Sequence, residues 1–254
     1  MQAKKSFGQH FLTNETIARD IADSLRSAES TGLVLEVGPG TGRLTRFLLE
    51  KNYTLHAVEA DRDMVSFLKK NYPQLTERLI QTDFLDFDPT TVFGKKQLSL
   101  IGNFPYNIST QILFWMLDWR DQVPEMVGMF QKEVAERVVS RPGSKVYGIT
   151  SVLMQAFYDC EMLFPVGRAN FSPPPNVESA VIRLTRKDGF ELGCDEKKFR
   201  QIVKTTFGQR RKMLRNTMKP FFSDENLMED PFFTRRPESL GWQEFVDLTL
   251  RAGG

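Results

Sequence analysis

Leu33-Val34-Leu35-Glu36-Val37-Gly38-Pro39-Gly40-Thr41-Gly42 is an apolar run rich in branched residues that stops at a cluster of glycines. Branched side chains favour extended backbone, and glycines permit a tight turn and let a ligand approach the main chain. Leu44, Phe47, Leu48 and Lys51 then recur at helical spacing, so the segment reads as strand, loop and helix. The start of such a helix offers unpaired N–H groups to whatever lies in the loop. Glycine spacing sorts the ligands. Pyrophosphate binders carry G-x-G-x-x-G, whereas this loop is G-x-G-x-G with an acid, Glu36, two residues ahead of it.

On both sides of this segment strand and helix alternate. Ile17, Ile21 and Leu25 mark a helix capped by Thr13 or Asn14 before the glycine loop. Beyond it, Thr54 to Glu59 reads as a strand, Met64, Val65 and Leu68 as a helix, and Leu79-Ile80, Leu98 to Ile101 and Met126 to Phe130 as further strands. Helices are expected at Ile112 to Leu117, Val134 to Val139 and Gly148 to Phe157. Such alternation predicts a parallel sheet covered on both faces. Cys160 to Phe164 and Ser179 to Leu184 leave no room for a crossover helix between them, so they are expected to pair antiparallel. From about Lys187 the pattern becomes wholly helical, with Phe199, Ile202, Val203, Thr206 and Phe207 on one face and a last helix around Trp242 to Leu248. The expected division is 1–186 and 187–254.

The acids narrow the ligand. Glu59 ends the second strand 21 residues beyond Gly38, where a carboxylate can hold ribose hydroxyls, and Asp83 ends a third strand. Strands running in parallel would gather these groups on one carboxyl edge. A nucleoside without phosphates suits that set, and S-adenosylmethionine is the common one. A capped turn at Thr41 with surface acids, or a nicotinamide dinucleotide site, are the competing readings. The fold class expected is therefore α/β, a Rossmann-like S-adenosylmethionine-dependent methyltransferase fold. Its sheet would be mostly parallel and seven-stranded with a terminal antiparallel strand, followed by a small helical domain.

Composition sets outer bounds. The chain has 254 residues, a hydrophobic fraction of 41% and 21 Phe, enough for a packed core, and its net charge of +2 says little about partners. Cys160 and Cys194 are the only cysteines and His10 and His56 the only histidines, so neither a disulfide framework nor a metal site is expected. No apolar stretch approaches membrane-spanning length, and Met1 to Lys5 is not followed by the apolar run of a signal peptide. A cytoplasmic, soluble protein is expected.

The fourth strand runs into Gly102-Asn103-Phe104-Pro105-Tyr106-Asn107-Ile108-Ser109. An exocyclic adenine amine is a poor nucleophile, because its lone pair is delocalised into the ring. The side-chain oxygen of Asn103 and the carbonyl of Phe104 or Pro105 can accept its two hydrogens, localising the lone pair and aiming it at a methyl donor. Pro105 stiffens the turn, and Tyr106 offers a flat face for a base out of its helix. Asn-x-Pro-Tyr is also simply a good turn with an aromatic anchor. Its place at the end of a strand beside the glycine loop favours the chemical reading.

These segments together resemble the ribosomal RNA adenine N6,N6-dimethyltransferases, the bacterial small-subunit family associated with kasugamycin sensitivity. The likeness extends through Lys5 to Leu12, Glu36 to Gly42, Glu59 to Asp61, Asp83 to Leu85, the Asn103 turn, Gln131 to Ala135, Phe171 to Val181 and Gln209 to Asn216. It implies that His10 and Leu12 border the donor pocket, that Gly38 contacts the donor's amino-acid part, Glu59 its ribose and Asp83 its adenine amine. Asn103 would lie between donor and target, and Phe171 would sandwich the base against Tyr106. His10 stands where the family usually has Asn, and Phe104 where Leu is commoner. The reaction implied is dimethylation of two adjacent adenosines near the 3′ end of small-subunit rRNA, in an immature or pre-assembled subunit, by a monomer that uses no metal.

Residues Lys197 to Lys219 carry nine basic side chains and no acid, whereas the rest of the tail holds seven acids against three bases. Such a stretch is often only a solvated face; beside a base-methylating site, phosphate tracking is the better account. Arg210, Arg211, Lys212 and Arg215 are the RNA-binding candidates, with Lys4 and Lys5 as weaker additions. The rival readings are an antibiotic-resistance type methyltransferase of large-subunit rRNA and a non-catalytic RNA-binding assembly factor. A dehydrogenase is disfavoured by the glycine spacing.

Overall fold

The computed structural model describes residues 10–222 and 229–253. Lys4, Lys5 and the other residues before His10 that carry part of the family likeness lie outside this range. Nine strands run β1 (Phe11–Leu12), β2 (Leu33–Val37), β3 (Thr54–Glu59), β4 (Leu79–Gln81), β5 (Ser99–Asn103), β6 (Glu125–Gln131), β7 (Tyr158–Val166), β8 (Phe171–Ser172) and β9 (Ser179–Arg186). The α-helices are α1 (Glu15–Asp23), α2 (Ala28–Thr31), α3 (Thr45–Leu48), α4 (Arg62–Asn71), α5 (Thr90–Phe93), α6 (Ser109–Asp118), α7 (Lys132–Val139), α8 (Ile149–Phe157), α9 (Glu196–Gly208), α10 (Leu214–Thr217) and α11 (Trp242–Arg251). None of the described helices is long and apolar enough to cross a membrane.

Seven strands form one sheet in the order β4-β3-β2-β5-β6-β9-β7. The β3–β4, β2–β3, β2–β5 and β5–β6 pairs are parallel, and β9 runs antiparallel to β6 from Glu125↔Thr185 to Gln131↔Ser179. Every residue of β2 is buried, Glu36 included, as its otherwise apolar sequence demands of a central strand with both faces covered. Parallel register aligns Val37 with Val58 and Glu36 with Ile101, so the carboxyl ends of β2, β3 and β5 share one edge. This is the Rossmann-like methyltransferase arrangement expected from the sequence.

The chain divides into two compact units: one takes in residues to Ala135 with Cys160–Arg186, the other Glu136–Asp159 with Lys187 onward. The sequence places 136–159 with the sheet, yet in the structure they belong to the second unit. There α8, nearly buried all round, packs against α9 and α11. A helix apolar on every side needs cover on every side, and a linear reading does not say from where it comes.

Candidate active site

The segment from His10 to Asn14 is tied to residues 170–173. Asn14 caps α1, accepting from the Thr16 and Ile17 amides at 3.0 and 3.3 Å, while its Nδ2 donates to Asn170 Oδ1 at 2.9 Å. β1 pairs antiparallel with β8, and His10 Nδ1 lies 2.9 Å from the Pro173 carbonyl oxygen. A carbonyl oxygen only accepts, so Nδ1 carries the proton there. These two-residue strands carry no periodic signal and were not legible in the sequence.

The carboxyl edge of the sheet holds a cavity of about 240 Å³, and His10, Leu12, Gly38, Glu59, Asp83, Asn103, Pro105 and Tyr106 all line it. Gly38 takes a positive φ of 66°, and a Cβ there would stand 3.7 Å from the Pro105 ring, so the glycine loop lies directly against the Asn103 turn. The loop leads into only four helical residues, α3, instead of the longer helix that Leu44 to Lys51 suggests.

The acids stand without cations. Glu59 is 7% exposed and accepts from the Gly40 and Asp61 amides at 3.1 and 2.9 Å. Burial raises its pKa, against the lowering effect of those amide bonds. Glu36 is 1% exposed, accepts from Thr45 Oγ1 at 2.7 Å, and is pushed up to about 8, chiefly by burial and further by the negative charge of Glu59. Neither forms an ion pair among the described residues. Asp83 is exposed at the rim and accepts from the Leu85 amide at 2.9 Å. Three acids against one arginine, Arg43, make a poor seat for pyrophosphate and a fitting one for a neutral or cationic nucleoside.

Asn103 donates its Nδ2 to the His10 carbonyl oxygen at 3.1 Å. Because that oxygen only accepts, the amide's orientation is fixed, and its own Oδ1 has no partner among the described residues. Tyr106 bonds Ser179 Oγ at 2.5 Å, and burial raises its pKa. The His10 imidazole faces the Tyr106 ring with centroids 5.3 Å apart and planes tilted by 30°. Phe171 is elsewhere. It is 4% exposed, pairs with Leu12 and joins the core with Val166 and Val181, so the structure does not bring it to the cavity. The ring opposite Tyr106 is that of His10, a residue the family likeness implies only for the donor side.

Phe104 is 1% exposed and packs on Phe130 with centroids 5.0 Å apart. Glycines make its slot: a Cβ at Gly128 would come within 2.0 Å of its ring, and one at Gly102 within 2.8 Å. In the second unit Arg211, Lys212 and Arg215 are exposed. Arg210 instead donates to the Lys145 and Ser144 carbonyls at 2.7 and 3.0 Å, a structural tether that removes much of its capacity for phosphate.

With the Asn103 turn at the carboxyl edge of its sheet, this is a methyltransferase fold. Among solved structures, a dimethyladenosine transferase from Plasmodium falciparum shares it at 24% identity with TM-score 0.78, covering 96% of this chain and 98% of that one. The 23S rRNA methyltransferase ErmE does so at 22% identity with TM-score 0.67, covering 94% and 99%. At the sequence level, the family described as "Ribosomal RNA adenine dimethylase" matches residues 1–231. The chain is 51% identical to the ribosomal RNA small subunit methyltransferase A of Flavobacterium johnsoniae, over 99% of this chain and 96% of that protein. It is 52% identical to the protein of the same name from Parabacteroides distasonis, over 98% and 94%. The chain belongs to the ribosomal RNA adenine dimethylase family.

Proposed function

We propose that this chain transfers methyl groups from S-adenosylmethionine to the N6 amines of two adjacent adenosines near the 3′ end of small-subunit rRNA. The observation that carries the reading is the Asn103 carboxamide, held by the His10 carbonyl with its oxygen unpartnered among the described residues, in the lining of a cavity that Glu36, Glu59 and Asp83 also line.

S-adenosylmethionine supplies an electrophilic methyl group on a sulfonium. Glu59 keeps accepting capacity on both carboxylate oxygens and would take the ribose hydroxyls; Asp83, at the rim, would accept from the donor's adenine amine. Leu12 and His10 would close the pocket from the N-terminal side, and Gly38 would admit the donor's amino-acid part. Asn103 Oδ1 and a carbonyl of the turn would accept the two N6 hydrogens, turning the lone pair toward the methyl group. Pro105 keeps that turn stiff. Tyr106, its hydroxyl anchored to Ser179, would hold the flipped base by its face. The substrate would be an immature or pre-assembled small subunit, met by a monomer, and Arg211, Lys212 and Arg215 would track its phosphates.

Incubation with labelled donor and under-methylated small subunits, large subunits or free RNA, followed by mapping, tests this. Label in adjacent adenosines of the small subunit is expected. Label in the large subunit alone would overturn the substrate, and donor binding without transfer would point to a scaffold. Reversing Arg211 and Lys212 to Glu is expected to weaken RNA binding and flatten its salt dependence.

A further inference from the structure

A second, broader groove of about 790 Å³ adjoins the donor cavity, and Phe11, Leu12, Thr41 and Arg43 line both. The groove adds three flat faces of its own, from Phe67, Tyr72 and Pro173, and a second guanidinium, Arg46. Tyr72 is fixed in place: its hydroxyl donates to the Gly42 carbonyl at 3.0 Å, and its ring lies so close to Gly42 that a Cβ there would come within 2.3 Å. The Phe11 ring similarly abuts Gly40.

The two arginines differ. Arg46 is committed, bonding Glu15 at 2.6 Å and lying 4.4 Å over the Phe47 ring. Arg43, 49% exposed at its side chain, reaches Glu15 only at 3.8 Å and stands where the groove meets the donor cavity. An exposed guanidinium at the junction, backed by rigid aromatic faces, is the equipment of a single-stranded nucleic-acid site: charge for the phosphate and flat faces for the base. An acidic peptide would use the charge and leave the faces idle.

We infer that this groove seats the nucleotide adjoining the target adenosine, its base against Phe67 and Tyr72 and its phosphate on Arg43. The inference rests on the RNA-methylating reading of the neighbouring cavity. One strand could then thread both sites, and for paired targets the second adenosine would wait beside the first.

The test measures binding of a single-stranded tetraribonucleotide containing two adjacent adenosines, and of adenosine monophosphate, to the full chain across a salt titration. Phe67→Ala is expected to weaken tetranucleotide binding about 5- to 100-fold without changing its salt slope. Arg43→Gln should weaken it and lower the slope by about 0.7, and Arg43→Lys should restore the slope. Phe67 lines the groove and not the cavity, so Phe67→Ala should keep the donor affinity, which also reports that it is folded. Adenosine monophosphate, which offers the groove one base and one phosphate, should lose affinity in the same variants by a smaller factor than the tetranucleotide. Parent-like tetranucleotide affinity and slope in both Phe67→Ala and Arg43→Gln would overturn the groove. A parent chain that binds donor but methylates no adenosine in any subunit would instead overturn the functional reading, so the two failures are distinguishable.

Discussion

The two ends of the sheet treat buried carboxylates in opposite ways. At the amino end of β6, Glu125 is 1% exposed and accepts from the Arg26 and Ser27 amides and the Ser27 hydroxyl at 2.7 to 3.1 Å. Arg183, also buried, lies 3.4 Å from it and further bonds Glu161 at 2.8 Å and the Ser24 carbonyl at 2.7 Å. At the carboxyl edge, Glu36 and Glu59 are similarly buried, form no ion pair among the described residues, and line the cavity. A charge enclosed by donors is part of the frame. A carboxylate enclosed with fewer donors and no ion pair keeps a desolvation cost, which protonation or the donors of a ligand would relieve.

Substitutions should separate the two ends. Arg183→Met leaves Glu125 buried beside no cation and is expected to cost about 3–5 kcal/mol of stability, read by denaturant unfolding, while donor affinity per folded molecule persists. Loss of less than 1 kcal/mol would mean the backbone amides alone satisfy Glu125. At the other end, Glu59→Gln should leave the fold standing and weaken donor binding by about 1.5–3 kcal/mol, measured by calorimetry, since charged acceptors of hydroxyls are the stronger ones.

Glu36 sharpens the contrast through pH. An ordinary glutamate ionises near 4.5, and this one near 8. Between those values the unfolded chain has released a proton that the folded chain keeps, so stability falls as pH rises, by up to about 1.4 kcal/mol per pH unit. Glu36→Gln should flatten that decline and stabilise the protein at neutral pH, whereas Glu125→Gln, at the satisfied end, should destabilise it. Unfolding curves from pH 5 to 8 that match the parent's would remove the distinction for Glu36.

The ends also differ in how far the sequence revealed them. Glu36, Glu59, Asp83 and Asn103 were legible because each lies close to the carboxyl end of a strand, Asp83 two residues beyond β4, and parallel strands stack such ends on one edge whatever the intervening residues do. The seven-stranded sheet with its antiparallel β9 followed from the same local patterns. The Glu125 network was not legible: its members are separated by as many as 159 residues, and nothing local marks a buried arginine. Phe171 sits apart from the cavity for a related reason, since an aromatic beside prolines looks available in sequence, whereas β1 covers it in the fold. His10 gained a place against Tyr106 only once the short β1–β8 pair fixed its backbone. Arg210 looked like its basic neighbours in sequence, and only the carbonyls of Ser144 and Lys145 set it apart.

The role proposed for Asn103, whose side-chain oxygen has no partner among the described residues, is to direct the target amine. Its most direct measurement is single-turnover methyl transfer to under-methylated small subunits by the parent chain and Asn103→Ala, with the modified adenosines identified by mass spectrometry. The parent should yield N6,N6-dimethyladenosine at two adjacent positions, and Asn103→Ala should transfer about 10²- to 10³-fold more slowly. Transfer by Asn103→Ala within tenfold of the parent rate would contradict the account.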